Sequence, residues 1–380
     1  MNAQMTAAVA YPDEQHMRIE SIPVPELADN EVLIKVMSAT LNTGTLLNWR
    51  ILKRQALLPN VIGIHGAGIV EQVGATVHTF SPGERVHVDP VLSCGRCEEC
   101  INDQALRCKK HVLIGSGAAE GSRGPRQGVT PQFERYQLGS YAEYWRVPEI
   151  AVEHLPAAVN FDVGCKLGTL AVSHSALRVA GTEPGATIVL TGASGASGSG
   201  VIKCAPLFGI ERVIAVARSQ ESLDAVAKLE PGLVDPIALS SLGDDWETTG
   251  ALTDAIRERM GGRGVDALID FSPANPALVR QAIYSLESGR TGVLVGGNPG
   301  KLDLDYIRAM PMNQYLLKGH RGNNRYDILR LTDALASGRL VVDDLVTHKF
   351  PLERINDAID HIDNRAGTRT WWVVVNPHDS

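Results

Sequence analysis

At 380 residues the chain is long enough for two ordinary domains with complete cores, and a composition of 44% hydrophobic and 21% charged residues is that of a globular protein. A formal net charge of −7 with no long basic run argues against nucleic acid or an anionic membrane as the main partner. No stretch approaches the roughly 18 apolar residues of a membrane span, and the start MNAQMTAAVAYPDEQ lacks a basic segment followed by an apolar core. The expectation is a cytoplasmic protein acting on a small molecule.

In chain order, residues 5–90 read as short strands broken by turns. TAAVAY, EVLIKVMSA, AGIVEQVG and ERVHVDP are β-rich runs, separated by PVPELADN and SPG. The stretch 110–140, rich in Gly, Arg and Pro, reads as a long loop, and SYAEYWRVP after it reads as a strand pair. From about residue 155 helix and strand alternate. CKLGTLAVSHSALRVA is helical, ATIVLTG a strand, ASGSGVIKCAPLFG a turn running into a helix, and RVIAVARS a strand. QESLDAVAKLE, VDALIDF, ANPALVRQAIYSLES and TGVLVGG continue the alternation, which predicts a doubly wound parallel sheet and an α/β fold. The tail returns to helix and strand without continuing that rhythm.

Four of the six cysteines crowd into residues 94–108 as Cys94, Cys97, Cys100 and Cys108, spaced C-x2-C-x2-C-x7-C. Four thiolates and no histidine suit a closed tetrahedral zinc that holds a loop and leaves no open position for chemistry. Cys165 and Cys204 lie in apolar segments and are expected to be inert buried thiols.

In IVLTGASGASGSGVIK the positions of a G-x-G-x-x-G turn are held by Ala193, Gly195 and Gly198, with Ser197 between the last two. Small residues here let the backbone approach a pyrophosphate, which then sits at the positive end of the following helix. The next strand ends in Ala217, Arg218 and Ser219, where an NAD site would carry an acidic residue for the ribose 2′-hydroxyl. Without that carboxylate, and with the Arg218 cation beside it, the expected cofactor is NADP(H).

A cysteine loop ahead of a dinucleotide turn, together with AGIVEQVG, GSYAEYWRVP, ALRVAGTEPGATIVLTGASG and VTHKFPLERINDAID, resembles the medium-chain dehydrogenase/reductase superfamily of zinc alcohol dehydrogenase type. The resemblance covers nearly the whole chain. It implies a GroES-like β-rich catalytic domain over 1–154 and 319–380 and a Rossmann NADP(H)-binding domain over 155–318. It also implies an active site in the cleft between them, dimers or tetramers with TGVLVGG as the strand that pairs across a two-fold axis, and contact of Arg369 with the cofactor pyrophosphate.

The three ligand positions of the superfamily's catalytic zinc fall on Asn42, Ile64 and Gly168, and His65 stands one residue past the second. Asparagine is a poor zinc ligand, and Ile64 and Gly168 offer no donor, so His65 is not expected to bind a catalytic zinc. The residues LN at 41–42 are similar instead to the zinc-free quinone and enoyl reductases of the same superfamily. The resulting expectation is hydride transfer from NADPH to an activated C=C bond, with oxyanion stabilisation and proton delivery by Asn42, Thr43, Thr45 and His65. A carbonyl reductase or alcohol dehydrogenase, and a cofactor-binding protein without turnover, are the alternatives. His174 lies by resemblance on the helix nearest the nicotinamide, with a packing role as its other reading. Trp49 either walls an apolar pocket or belongs to the core.

Overall fold

The computed structural model describes residues 3–50, 58–116, 120–121, 124–125, 134–273, 275–297, 300–364 and 369–379. Part of the stretch read as a long loop, residues 117–119, 122–123 and 126–133, lies outside the described residues.

The N-terminal half is β-rich. Strands β1 (Gln4–Ala10) and β2 (Arg18–Pro23) form an antiparallel pair. They are followed by β3 (Glu31–Thr40), the helix α1 (Thr43–Arg50), β4 (Gly66–Val73), β5 (Arg85–Val88), β6 (Tyr144–Pro148) and β7 (Val152–His154). The α/β half begins with α2 (Leu167–Ala180). It continues through β8 (Thr187–Thr191), α3 (Ala196–Cys204), β9 (Arg212–Ala217), α4 (Gln220–Ala227), β10 (Val234–Ala238) and α5 (Ala251–Arg259). Then come β11 (Val265–Asp270), α6 (Pro276–Tyr284), β12 (Leu286–Leu294), β13 (Leu316–Gly319) and α7 (Arg325–Ala336). The chain closes with β14 (Val346–Pro351), α8 (Ile355–Asp363) and β15 (Trp372–Asn376).

Two sheets carry the architecture. The first has the order β7-β5-β4-β3-β15-β14, with β6 also on β3. Its centre, β3, is covered along one edge by β4; along the other, β6 takes its first half and β15 its last residues. That position leaves β3 little surface, so EVLIKVMSAT reads as an almost continuous buried run and not as an alternating one. The second sheet is parallel throughout, order β10-β9-β8-β11-β12-β13. On β8, Ile188 and Leu190 join the core that holds α2 and α3, while Val189 points to the core that holds α5 and α6. Helices therefore cover both faces, as a doubly wound sheet requires.

Three details depart from the sequence reading. Of the segment SLES, taken as the end of a helix, Ser285 caps α6 and the last three residues already belong to β12, because Leu286 is fully buried on the sheet beside Val265. The tail helix α7 packs on α2 through Ile328 and Leu331 and so covers the parallel sheet's side of the molecule. TGVLVGG is not a free edge, since β12 is flanked by β11 and β13; the open edge strand at that end of the sheet is β13.

Candidate functional site

The crevice of a doubly wound sheet opens where the strand order reverses, here between the ends of β8 and β11. The two strand ends are joined there, with the Thr191 hydroxyl donating to the Asp270 carboxylate at 2.6 Å. Chain direction changes at Gly192, whose φ of 70° lies in the left-handed region, and a Cβ on it would stand 2.7 Å from the backbone of Phe271. The sequence pattern passed over this residue, starting the motif at Ala193 instead; its position directly after an apolar strand was the available signal. Gly198 packs against the same turn, and a side chain on it would meet the Gly192 carbonyl oxygen at 2.3 Å. Gly195 is exposed and caps α3 without any side-chain hydrogen bond, so the first amides of a nine-residue helix face outward with no side-chain acceptor. Ser197 lies in that first turn, its carbonyl taken by the Ser173 hydroxyl at 2.8 Å. A free helix N-terminus beneath a turn of small residues fits a dinucleotide pyrophosphate.

At the end of β9, Ala217 is buried, Arg218 is exposed and has no ion pair among the described residues, and Ser219 caps α4 through its hydroxyl. No carboxylate occupies the strand end. Arg369 lies with its guanidinium 4.4 Å from the ring of Trp371 and bonds the Asp344 carbonyl at 3.4 Å. Its neighbourhood reaches the dinucleotide turn through Trp372, whose indole N–H donates to the carbonyl of Ala196, the first residue of α3.

The four thiols of Cys94, Cys97, Cys100 and Cys108 all lie within 4.8 Å of one another, with Cys94–Cys100 at 3.9 Å and Cys97–Cys100 at 3.5 Å. Tetrahedral thiolate zinc, with bonds of about 2.3 Å, sets sulfur–sulfur separations near 3.8 Å, so this cluster fits the ion. It is the one group of potential metal ligands among the described residues. The loop it organises docks on the segment just before α7, where Leu106 fills the space beside Gly322.

A second polar cluster forms where β3 ends beside the start of β4. The Thr40 amide donates to the His65 carbonyl at 3.1 Å, which the Ser140 hydroxyl also holds at 3.0 Å. Two residues past Thr40, Asn42 turns its amide oxygen onto the Gly44 amide at 2.7 Å, while its own backbone N–H lies 3.5 Å from the Tyr141 hydroxyl. Thr43 is exposed, and Thr45 is buried with a hydroxyl lacking a partner. The imidazole of His65 lies directly against Gly168 in the first turn of α2; a Cβ there would stand 2.2 Å from Cε1. Burial, helped by the charge of Lys166, pulls the His65 pKa down to about 4, so the ring is neutral at pH 7. His87 on β5 is directly opposite Ala67 of β4; burial and then His65 hold its pKa down to about 3, and its Nε2 has no partner. Lys166 is 3% exposed, and burial pulls its ammonium down to about 8. Lys166 and His87 escaped the sequence reading, since neither belongs to a motif.

The remaining candidates have structural partners. His174 donates its Nδ1–H to the Asp327 carboxylate at 2.7 Å and packs on Phe208, within an ion network that includes Arg178 and ties α2 to α7. Trp49 is buried and donates its indole N–H to the Tyr11 carbonyl at 2.9 Å, as a core residue does.

Two family models match the chain, the alcohol dehydrogenase GroES-like domain over residues 28–157 and the zinc-binding dehydrogenase over 196–337. The chain belongs to the medium-chain dehydrogenase/reductase superfamily, of zinc-type alcohol dehydrogenase kind. It is an oxidoreductase of that superfamily. Among its relatives is geraniol dehydrogenase of Carpoglyphus lactis, 29% identical with 93% of each chain covered. Another is D-xylulose reductase A of Aspergillus oryzae, 26% identical with 93% of this chain and 92% of the relative covered. A solved structure from Sinorhizobium meliloti, described as a zinc-binding dehydrogenase bound to NADP, shares the fold with a TM-score of 0.83 at 22% identity, covering 99% and 100% of the two chains. Asn42, Ile64 and Gly168 are the positions at which the resemblance would put the ligands of a catalytic zinc. At the third of them the His65 ring fills the space in which a ligand side chain would start.

Proposed function

We propose that the protein is an NADP(H)-dependent reductase working without a catalytic zinc, and that its substrate is a small molecule with a C=C bond conjugated to a carbonyl, such as an enone, enoyl thioester or quinone. The observation that carries this reading is the imidazole of His65 packed onto Gly168, which puts a neutral hydrogen-bonding ring where a third metal ligand would project. The bound nicotinamide supplies or takes up a hydride. Residues of this chain then have two tasks, to hold the negative charge that collects on the substrate oxygen and to deliver a proton. The neutral His65 ring suits both, with an N–H to donate and no positive charge of its own to desolvate. Asn42, on the same end of β3, would offer its amide N–H to the oxygen, and Thr43 or Thr45 a hydroxyl. In this reading Ala193, Gly195, Ser197 and Gly198 receive the pyrophosphate with Arg369, and Arg218 and Ser219 receive the 2′-phosphate. Residues 1–154 and 319–380 act as the catalytic unit and 155–318 as the cofactor unit. The four-cysteine loop holds one structural zinc.

A second reading, interconversion of a carbonyl and an alcohol, is favoured by the activities of the relatives, geraniol dehydrogenase and D-xylulose reductase. Following NADPH oxidation with methyl vinyl ketone beside its saturated counterpart butanone separates the two. Turnover of the enone with little on butanone is expected. The reverse preference, or a zinc content near two per chain in protein purified without chelators, transfers the assignment to the second reading.

A further inference from the structure

A cavity of about 290 Å³ lies between the cysteine loop, the last turn of α2, the end of β13 and the start of α7. No residue placed at the crevice lines it. Its walls are brought together by packing. A Cβ on Gly322 would enter the Leu106 side chain, and this contact sets the neighbouring Arg107 against the segment that runs from β13 into α7. On the other side the Lys318 ammonium donates to the Val179 carbonyl at 3.1 Å, which ties β13 to the end of α2.

The lining is rich in donors. Arg107, Arg178 and Lys318 bring three cations, and no carboxylate lines the space. Of the three, Arg178 is in an ion pair among the described residues; two hydrogen bonds of 2.9 Å to Asp327 fix its guanidinium. Asn324 spends its side-chain oxygen on the backbone of α7, so its NH2 group is what it has left to offer. His320 also lines the cavity, and its Nε2 is buried without a partner. Burial holds this imidazole below its ordinary pKa, and the Arg178 and Arg107 charges act in the same sense, against Asp327. From the cysteine loop, the Asp103 charge bears on Arg178. Cations gathered at one space repel each other, and a buried ring nitrogen without a partner is costly. An anion between them relieves both.

We propose that this cavity is a binding site for a phosphate group, either inorganic or carried as a monoester by a small molecule. A carboxylate brings one charge and two oxygens, too few for this donor set. A phosphate brings close to two charges at pH 7 and three strong acceptor oxygens even as a monoester. The planar forks of Arg107 and Arg178 suit two of those oxygens, and the Lys318 ammonium suits the third as a point charge. The Asn324 NH2 group adds a neutral donor. His320 takes up a proton beside the anion and donates from Nε2. The volume exceeds that of a bare phosphate and leaves room for a small organic remainder. The site is separate from the dinucleotide turn and from Arg218, so the inference goes beyond the reductase reading and holds whichever reaction the crevice performs.

The test titrates inorganic phosphate, and separately glycerol 3-phosphate, into the full-length, zinc-loaded protein. The protein is first saturated with NADP+, or with NAD+ should that bind more tightly, so that the dinucleotide turn is already filled. Chloride keeps the ionic strength constant. Calorimetry gives the affinity, and the ring signals of His320, assigned by their loss in His320→Gln, locate the ligand. Saturable binding is expected, with the His320 signals following the same curve. Arg107→Gln and Lys318→Gln should each weaken it about 10-fold or more. Arg107 adjoins Cys108, so zinc content is measured on its variant, while Lys318→Gln leaves the cysteine loop untouched. Tighter binding of glycerol 3-phosphate makes the ligand a monoester, and equal or weaker binding makes it inorganic phosphate; either result upholds the site. Binding that does not saturate, His320 signals that stay in place, or an affinity unchanged by either substitution overturns it.

Discussion

At the residue scale, the site depends on a few side chains whose surroundings set their charge. Gly168 admits the His65 ring, and Gly168→Ala would drive a methyl group into Cε1. We expect this variant to lose at least about 10-fold in kcat while remaining folded, since the imidazole has to swing away from a wall that cannot yield. Steady-state kinetics with circular dichroism on the same sample checks it. Arg218 offers the complementary case at the cofactor end. Exposed and without an ion pair, it should contribute a charge-assisted contact to a 2′-phosphate, so Arg218→Ala should raise the KM for NADPH about 10-fold or more and leave that for NADH unchanged. Equal effects on both cofactors would remove the argument for NADP(H). Sequence could name His65 and Arg218 because each sits next to a recognisable motif. It could not name Lys166 or His87, because what distinguishes them is burial of a basic group, which no spacing encodes.

At the scale of elements, what was legible follows from periodicity and what was not follows from packing. The alternating helices and strands from β8 to β12 were readable because the central strands β8, β9 and β11 are buried on both faces and each helix is bounded by a cap or a glycine turn. The attachment of α7 to α2 was not, since it rests on the buried ion network of Asp327 with His174 and Arg178, whose members are 149 and 153 residues apart in sequence. The cysteine loop was legible from spacing alone, because four thiolates at one zinc impose that spacing. Its dependence on the ion can be measured: Cys97→Ser should lower the zinc content from one per chain toward zero. It should also loosen the Leu106 contact with Gly322, seen as faster amide exchange over 94–108 with the parallel sheet's protection unchanged.

For the whole molecule, three bases with lowered pKa values, His65, His87 and Lys166, shape the dependence of stability on pH. His65 and His87 have folded pKa values below the usual 6.5, so the unfolded chain binds more protons between about 6.5 and 4. Their contribution is therefore complete above pH 6.5 and is lost as pH falls through that window, and Tm should drop with it. Lys166 has the same sense of shift higher up, from 10.5 to about 8. Its buried charge destabilises the fold at pH 7 by an amount on the order of 3 kcal/mol, a cost that diminishes as pH rises from 8 to 10.5. Lys166→Met should accordingly be more stable than wild type at pH 7. A lower Tm in that variant would show that the lysine stabilises the fold.

The pairing of β15 with the end of β3 has a consequence for how the protein comes into being on the ribosome. Thr40 meets Val374, and Leu41 bonds the Val373 carbonyl, so the strand end that places Asn42 waits for residues synthesised long after it. The parallel sheet between them is complete in sequence long before that moment and can fold as it emerges. During translation the cofactor would thus find its half of the crevice ready first, with the chemical half arriving last. A nascent chain stalled just short of β15 should bind nucleotide yet turn over nothing.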